Sequence, residues 1–98
     1  MNYQLQNNTN SFILVPSPYD IFVGRLPSNV QNSQILEKFS ECGEIVDLNL
    51  ICRKSDIPLD AFAFIKFRDQ ESVIKALKLD GSVWLGQSIK CELVRQIN

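Results

Sequence analysis

Histidine is absent from this chain of 98 residues, and the usual ingredients of a catalytic or metal site are scarce. Its three cysteines, Cys42, Cys52 and Cys91, form no Cys-x-x-Cys pair. A zinc site needs several cysteine or histidine ligands at paired spacings, so no metal is expected. No nucleophile stands beside a base, and the four glycines are scattered rather than gathered in a phosphate-binding loop. We therefore expect neither an enzyme nor a cofactor.

Long apolar runs and an excess of positive charge are also missing. The run Phe12-Ile13-Leu14-Val15 ends at Pro16 and is too short for a membrane span or a signal peptide. Lys and Arg number 10 against 11 Asp and Glu, so charge alone would not hold nucleic-acid phosphates strongly. An odd number of cysteines without a secretory signal predicts an intracellular protein, nuclear or cytoplasmic, whose thiols are unpaired.

The periodicity of apolar residues predicts one small α+β domain. Residues 1–18, rich in Asn, Gln, Ser, Thr and Pro, are expected to form a flexible leader, residues 19–95 the domain and residues 96–98 a tail. The order is βαββαβ, with strands at 20–24, 45–52, 60–67 and 88–94, a first helix at 30–42 and a second helix that is capped by Asp69. Such an order places both helices on one face of a four-stranded antiparallel sheet and leaves the other face open.

The stretch from Asp60 to Phe67 carries the main functional signal. Because side chains alternate across a strand, Phe62, Phe64 and Lys66 face one way. The opposite face is apolar throughout and consists of Ala61, Ala63, Ile65 and Phe67. In the first strand Phe22 points away from its apolar neighbours in the same manner. Three aromatic side chains on the open face of the sheet are typical of a binding surface.

The same alternation predicts the buried faces of the other strands. They are Val46, Leu48, Leu50 and Cys52 in the second strand and Ile89, Cys91 and Leu93 in the fourth. All three cysteines are therefore expected to fill the core. Trp84, in the turn before the fourth strand, is expected to pack against the second helix. The start of the first helix stays open, because Asn29, Gln31 and Asn32 are alternative caps.

These residues resemble the signatures of the RNA recognition motif, and the resemblance spans about residues 19–95. Ile21-Phe22-Val23-Gly24-Arg25-Leu26 is similar to the first signature of that family, with Arg25 where Asn is common. The second signature, K/R-G-F/Y-G/A-F-V-x-F/Y, is matched from its third position onward by Phe62 to Phe67. The resemblance implies a ferredoxin-like βαββαβ sandwich. It also implies that Phe22, Phe62 and Phe64 stack the bases of a short single-stranded RNA, about two to four nucleotides long.

The chain departs from the family at the first two positions of the second signature, where Asp60-Ala61 replaces Lys/Arg-Gly. In the family the basic residue commonly contacts a phosphate. A carboxylate there repels the RNA backbone, which should weaken affinity by something on the order of a kcal/mol. The substitution leaves the expected fold unchanged.

Several polar residues are further candidates for RNA contacts. Lys66, Lys90, Arg25 and Arg95 could meet phosphates or base edges. Arg53 and Lys54 begin the loop between the second and third strands, which often closes over the RNA in this family. Asn49 could read a base edge through its amide, and Glu92 and Asp47 could accept hydrogen bonds from base amino groups. Plain solvation is the alternative for each of these charges.

A protein partner is the alternative to RNA. One subclass of the family captures a peptide on its helical side by means of an acidic first helix and an Arg-x-Phe sequence. Here the corresponding place reads Ser82-Val83-Trp84, while Glu37 and Glu41 make the first helix mildly acidic. Self-association through the open sheet, or through a strand formed by the run at 12–15, belongs with this alternative. We otherwise expect the protein to be a monomer. That the chain is a fragment of a longer protein is a separate alternative. Single-stranded DNA is a second nucleic-acid ligand to consider, because stacking does not require a 2′-hydroxyl.

Overall fold

The computed structural model describes residues 18–52 and 61–94. Its strands and helices, in chain order, are β1 (Asp20–Leu26), α1 (Asn32–Phe39), β2 (Ile45–Cys52), β3 (Ala61–Phe67), α2 (Gln70–Leu77), β4 (Val83–Trp84), β5 (Gln87–Ser88) and β6 (Lys90–Leu93). The strands β2-β3-β1-β6 form a four-stranded antiparallel sheet in that order. This is the predicted fold, with β6 as its fourth strand. The flexible leader predicted for residues 1–18, including the run at 12–15, falls almost wholly outside the described residues.

A small ribbon of two strands precedes β6 and was not predicted from the sequence. Val83 pairs with Ser88, and Trp84 pairs with Gln87. Leu85 and Gly86 connect them, with φ values of 55° and 83° in the left-handed region. A tight hairpin of this kind requires positive φ at its central residues, which glycine adopts without strain and leucine does not. The sequence Leu85-Gly86 lacks the usual Asn-Gly signature of such a turn, so the hairpin had only a weak signal.

Each helix begins at a recognisable cap. For α1 the cap is Gln31, whose backbone N–H donates to Oε1 of Gln34 at 2.9 Å. For α2 the cap is Asp69, as predicted, whose Oδ1 accepts hydrogen bonds from the backbone N–H and the hydroxyl of Ser72 at 3.0 and 2.8 Å. These two hydrogen bonds stabilise the carboxylate and lower the pKa of Asp69. Helix α1 ends at Phe39, short of the predicted Cys42.

Gly43 allows the chain that leaves α1 to pass close to the start of α2. A Cβ at Gly43 would lie 2.6 Å from the Cβ of Ser72, closer than real Cβ atoms come. Ser72 is itself buried, with 3% of its surface exposed, and held by Asp69. A side chain at Gly43 would therefore push against a residue that has no room to move.

The core lies between the sheet and the two helices. Its fully buried large side chains come from both layers: Ile21, Val23, Leu26, Ile65 and Phe67 from the sheet, Ile35 and Phe39 from α1, and Ile89 beside β6. The predicted inward face of β3 is confirmed, because Ala61, Ala63, Ile65 and Phe67 are all at most 2% exposed. Every second residue of β3 is therefore held in place by the core, which fixes the direction of the residues between them.

Three predictions of burial were wrong, and the edges of the sheet explain them. Only Val46 also lies on the wrong face, because Cys52 and Leu93 lie opposite the inward residues Ala61 and Ile21. A β-bulge between Ile45 and Asp47 turns Ile45 toward the core and leaves Val46 57% exposed. Cys52 is exposed, since it is the last residue of the edge strand β2. Leu93 is 38% exposed at the end of β6, the other edge strand. Strand ends at a sheet edge extend beyond the cover that the helices provide.

Trp84 joins the small ribbon to the core through α1. Its ring meets Phe39 edge to face, with centroids 6.1 Å apart and an interplanar angle of 88°. The aromatic contact is thus with the first helix, where the sequence predicted the second. Because α1 ends at Phe39, the ribbon closes the end of the core beside that helix terminus.

The three thiols should differ sharply in reactivity. Burial raises the pKa of Cys42, and it raises the pKa of Cys91 to about 12, where the Asp80 carboxylate adds to the effect. A thiol with so high a pKa is almost entirely protonated in mildly alkaline buffer, and the thiolate is the reactive form. We therefore expect iodoacetamide to modify Cys52 first in the folded protein. Peptide mass spectrometry of a labelling time course would measure this, with urea-unfolded protein as the control. Equal rates at Cys91 and Cys52 would contradict the burial.

Candidate nucleic-acid interface

Three aromatic rings lie together on the open face of the sheet. Phe62 and Phe64 are the outward residues of β3, and Phe22 is the outward residue at the middle of β1. The ring centroid of Phe22 lies 5.7 Å from those of both Phe62 and Phe64, and these two are 5.9 Å apart. Each ring therefore touches the other two, and all three are half-buried. We call this triangle the aromatic platform.

A row of side chains crosses the sheet through the platform, and we call it the central row. Strand register places Asn49 of β2 opposite Phe64, Phe64 opposite Phe22, and Phe22 opposite Glu92 of β6. Residues directly opposite in antiparallel strands have Cβ atoms about 4.5–5.5 Å apart. The two aromatic rings are thus flanked on either side by an exposed polar side chain. Such a row can support flat rings and offer hydrogen bonds at their edges.

The next row across the sheet contains an apolar residue, Ile51, that was not predicted from the sequence to lie on this face. Ile51 of β2 lies opposite Phe62, on the same face as Asn49, and is half-buried. It extends the apolar surface of the platform toward the edge of the sheet. The signal was present, because Ile51 follows Asn49 at the spacing of two that places residues on one face of a strand.

Because Gly24 has no side chain, the ring of Phe22 can lie over it. A Cβ at Gly24 would lie only 2.7 Å from Cε2 and 2.9 Å from Cζ of Phe22, so the ring leans over the glycine. The strand also bulges here, since the register between β1 and β3 shifts between Val23 and Leu26. Arg25, within the bulge, has φ of 63° and donates from Nε to the carbonyl oxygen of Ser88 at 2.9 Å. Its predicted RNA contact stays a prediction.

Replacing Gly24 with alanine should displace the Phe22 ring without unfolding the domain. The added methyl group meets the far end of a side chain, which can rotate, and not the backbone. We expect the aromatic ring signals of Phe22 and its contacts to Phe62 and Phe64 to change in nuclear Overhauser spectra. The melting temperature should change little. The matched control is Gly43→Ala, which meets the buried Ser72 and should instead lower the melting temperature. Unchanged ring contacts in Gly24→Ala would contradict the close approach.

The positive charge of Lys66 on the open face is largely neutralised by nearby carboxylates. Nζ of Lys66 lies 3.1 Å from Oδ1 of Asp20, and Asp47 lies opposite Lys66 on β2. One oxygen of Asp47 accepts the backbone N–H of Leu48 at 2.9 Å. A phosphate that approached Lys66 would have to compete with the Asp20 carboxylate. Lys90, by contrast, makes no ion pair within residues 18–52 and 61–94.

Four residues that bear on the predicted site lie outside the described part of the chain. They are Arg53 and Lys54 in the loop after β2, Asp60 just before β3, and Arg95 after β6. Their roles stay predictions. The structure therefore brings together Phe22, Phe62, Phe64, Asn49, Lys66 and Lys90 on one face and places Arg25 at the bulge beside it.

The helical side carries a second concave surface. A groove of about 390 Å³ runs between α1 and the β4–β5 ribbon and is lined by Gln34, Glu37, Lys38, Glu41, Trp84 and Leu85. Elsewhere the described ranges offer little for other chemistry. None of their helices is long and apolar enough to cross a membrane, and they hold no cluster of three or more His, Cys, Asp or Glu suited to a metal ion.

The model of one protein family, the RNA recognition motif, matches residues 21–90. The chain belongs to this family. The match includes β3 and all of β1 except its first residue, and therefore the whole aromatic platform. It confirms the resemblance drawn from the two signatures. RNA recognition motifs are RNA-binding modules and not enzymes, and they stack two or three bases on aromatic side chains of a four-stranded sheet.

Parts of larger proteins are similar in sequence to this chain. The chain is 40% identical over 73 residues to zinc finger CCCH domain-containing protein 42 of Arabidopsis thaliana, covering 74% of this chain and 21% of that protein. It is 34% identical to nucleolin 2 of Oryza sativa over 78% of this chain and 11% of that protein. It is 40% identical to the U2 snRNP component ist3 of Schizosaccharomyces pombe over 58% of this chain and 26% of that protein. The chain therefore spans about a quarter or less of these relatives.

Solved structures share the fold at greater sequence distance. The third RNA recognition motif of Mip6 is 25% identical, with a TM-score of 0.72 over 82% of this chain and 96% of that one. The Rna15 motif with bound GU RNA is 28% identical, with a TM-score of 0.67 over 85% of this chain and 86% of that one. These likenesses agree with the sheet order and the two helices described above.

Proposed function

We propose that this RNA recognition motif binds a short single-stranded RNA by stacking bases on Phe22, Phe62 and Phe64. The observation that carries the proposal is the mutual contact of the three rings on the open face, at centroid distances of 5.7 to 5.9 Å. Half-buried rings on a rigid sheet lose little freedom when a base lies on them, so little of the stacking energy is spent on ordering. Each stack contributes roughly 1–3 kcal/mol.

Polar residues around the platform would orient the RNA. Asn49 beside Phe64 can pair with a base edge through its amide, and Lys90 can meet a phosphate or a base oxygen. Lys66 and Arg25 would first have to leave Asp20 and Ser88. Arg53, Lys54 and Arg95 complete the predicted set. Because few cations are available, the affinity of this domain alone should be modest, and linked domains in a longer protein would raise it.

The relatives support an RNA ligand. Rna15, a structural neighbour, has been solved with GU RNA bound, and another relative is named as a component of the U2 snRNP. We accordingly propose that the domain works in RNA processing, with the nucleus as its compartment. Single-stranded DNA would use the same platform, so a comparison of RNA and DNA forms of one oligonucleotide belongs in the first experiment.

A protein ligand is the second candidate, and the groove beside α1 favours it. Trp84 and Leu85 give that groove an apolar wall. Its charged lining consists of the carboxylates of Glu37 and Glu41 and one cation, Lys38. A peptide that combines a basic and an apolar residue would match both. Binding there would leave the sheet face free, so the two candidate functions involve different surfaces and separate amide signals.

The test is an amide-shift titration of the domain with random short single-stranded RNAs. We expect shifts centred on Phe22, Phe62 and Phe64 and their absence from a Phe62→Ala/Phe64→Ala double variant. A parallel titration with DNA oligonucleotides measures the contribution of the 2′-hydroxyl. If high micromolar RNA moves no amide signal, the proposal is wrong. Shifts confined to Trp84, Leu85 and α1 on addition of a basic, apolar peptide would then favour the second candidate.

A further inference from the structure

Glu92 is the acidic residue that lies beside the aromatic platform on β6. It lies directly opposite Phe22 in the central row, and its neighbour Cys91 is buried, so Glu92 points outward. The other carboxylates that the described residues place on this face, Asp20 and Asp47, are engaged by Lys66 and by the N–H of Leu48. Within residues 18–52 and 61–94, the Glu92 carboxylate has no ion pair and no hydrogen bond. With respect to the described residues, the Glu92 carboxylate is therefore an unengaged acceptor opposite the Phe22 ring.

The position of Glu92 relative to the ring decides what it can reach. Opposite residues in an antiparallel pair are about 4.5–5.5 Å apart at Cβ, so a base that covers the Phe22 ring brings its edge within range of the Glu92 carboxylate. A carboxylate accepts hydrogen bonds and donates none, and its two oxygens suit a pair of parallel N–H groups. A base stacked on Phe22 would thus be selected by the N–H groups along its edge.

Guanine is the base that fits. Its Watson–Crick edge carries N1–H and the N2 amino group side by side, which matches two carboxylate oxygens. Cytosine and adenine each place an acceptor nitrogen beside their single amino group, and uracil places carbonyl oxygens on both sides of N3–H. In those bases an acceptor would face the negatively charged carboxylate.

Lys90 adds the complementary group. It lies two residues before Glu92 on the same face of β6 and opposite Gly24, over which the Phe22 ring leans. No ion pair joins Lys90 to Glu92. Guanine presents O6 and N7, both acceptors, next to its N1–H donor. An acceptor and a donor on β6 therefore match the order of donors and acceptors around guanine.

We propose that Glu92, with Lys90, selects guanine for the nucleotide stacked on Phe22. This inference rests on the proposed stacking of RNA and goes further by naming the base. It assigns to a carboxylate, which weakens RNA binding by its charge, a role in specificity. Removing its charge should therefore strengthen the binding of other bases and weaken that of guanine relative to them.

The experiment uses tetranucleotide RNA pools in which one position is fixed as G, A, C or U and the others are random. Amide shifts of Phe22, Gly24 and Glu92 give an apparent affinity for each pool. At one position we expect the guanine pool to bind about tenfold more tightly than the uracil pool, as for a good bidentate contact. At that position inosine, which lacks the N2 amino group, should bind several-fold more weakly than guanine.

The variant Glu92→Gln keeps the size of the side chain and replaces one acceptor oxygen with a donor. It should abolish both the guanine preference and the penalty of inosine. The matched control is Glu71→Gln, which makes the same change of charge and size in the first turn of α2, on the side of the sheet opposite the platform. It should keep the guanine preference.

The possible failures are distinct. If RNA shifts the platform signals but no base stands out, or if Glu92→Gln retains the guanine preference, the role of Glu92 is overturned and RNA binding stands. If no pool shifts the signals of Phe22, Phe62 and Phe64, the proposed RNA binding itself has failed.

Discussion

Replacing Phe64 with alanine should weaken the binding of a short single-stranded RNA by about 5- to 150-fold. This range corresponds to the roughly 1–3 kcal/mol of one base stack. Phe64 belongs to the central row and touches both other rings, at 5.7 and 5.9 Å, so its removal also loosens their support. Isothermal titration calorimetry with one chosen RNA would measure the loss, and Phe22→Ala should cause a loss within the same range.

The fold should survive this change, because Phe64 points away from the core and is half-buried. The matched control is Ile74→Ala, which removes a large apolar side chain that is 55% exposed on α2. RNA affinity should be unaffected there. An equal loss in both variants would mean that the domain has been destabilised generally. An unchanged affinity in Phe64→Ala would contradict stacking on this ring.

Replacing Phe39 with alanine should lower the free energy of unfolding by about 3–5 kcal/mol, as for other fully buried phenylalanines. Phe39 is 0% exposed, it is the last residue of α1, and its ring supports Trp84 at 6.1 Å. Small domains have only about 5–15 kcal/mol of stability, so we expect the variant to unfold at low urea concentrations. Urea titration followed by far-ultraviolet circular dichroism would measure the loss.

The fluorescence of Trp84, the one tryptophan of the chain, gives a second signal in the same titration. Its emission in the folded variant should move toward that of exposed tryptophan, because one wall of its site is gone. The control on the same helix is Leu36→Ala. Because the Leu36 side chain is 42% exposed, this change should lower the free energy of unfolding far less. A loss below about 1 kcal/mol in Phe39→Ala would mean that the core closes around the missing ring.

The predictions from the sequence were strongest at positions where several features of the sequence require the same orientation or role. In β3 every second residue is apolar and the residues between include two phenylalanines and a lysine, so only one orientation buries the core. The direction of Phe62 and Phe64 followed directly. Asp69 was equally clear, because a short acidic side chain just before an apolar stripe satisfies the free N–H groups of a helix start.

The features that the sequence did not predict depend on contacts between segments that lie far apart in the chain. Ile45 and Val46 are adjacent and both apolar, and only pairing with β3 decides that a bulge turns Val46 outward. The contact of Trp84 with α1 depends on a hairpin whose turn residues gave little signal. The ion pair of Lys66 with Asp20 joins residues that are 46 positions apart in the chain. Such pairings are set by strand register, which becomes known only once the sheet is assembled.

The ion pair between Asp20 and Lys66 also bears on how an RNA complex of this domain would respond to salt. For single-stranded nucleic acids, the logarithm of the binding constant falls with the logarithm of salt concentration by about 0.7 for each phosphate neutralised. A lysine already held at 3.1 Å by a carboxylate releases few additional counterions when RNA arrives. Complexes that rest on stacked rings should therefore persist in salt concentrations that remove RNA from strongly basic domains.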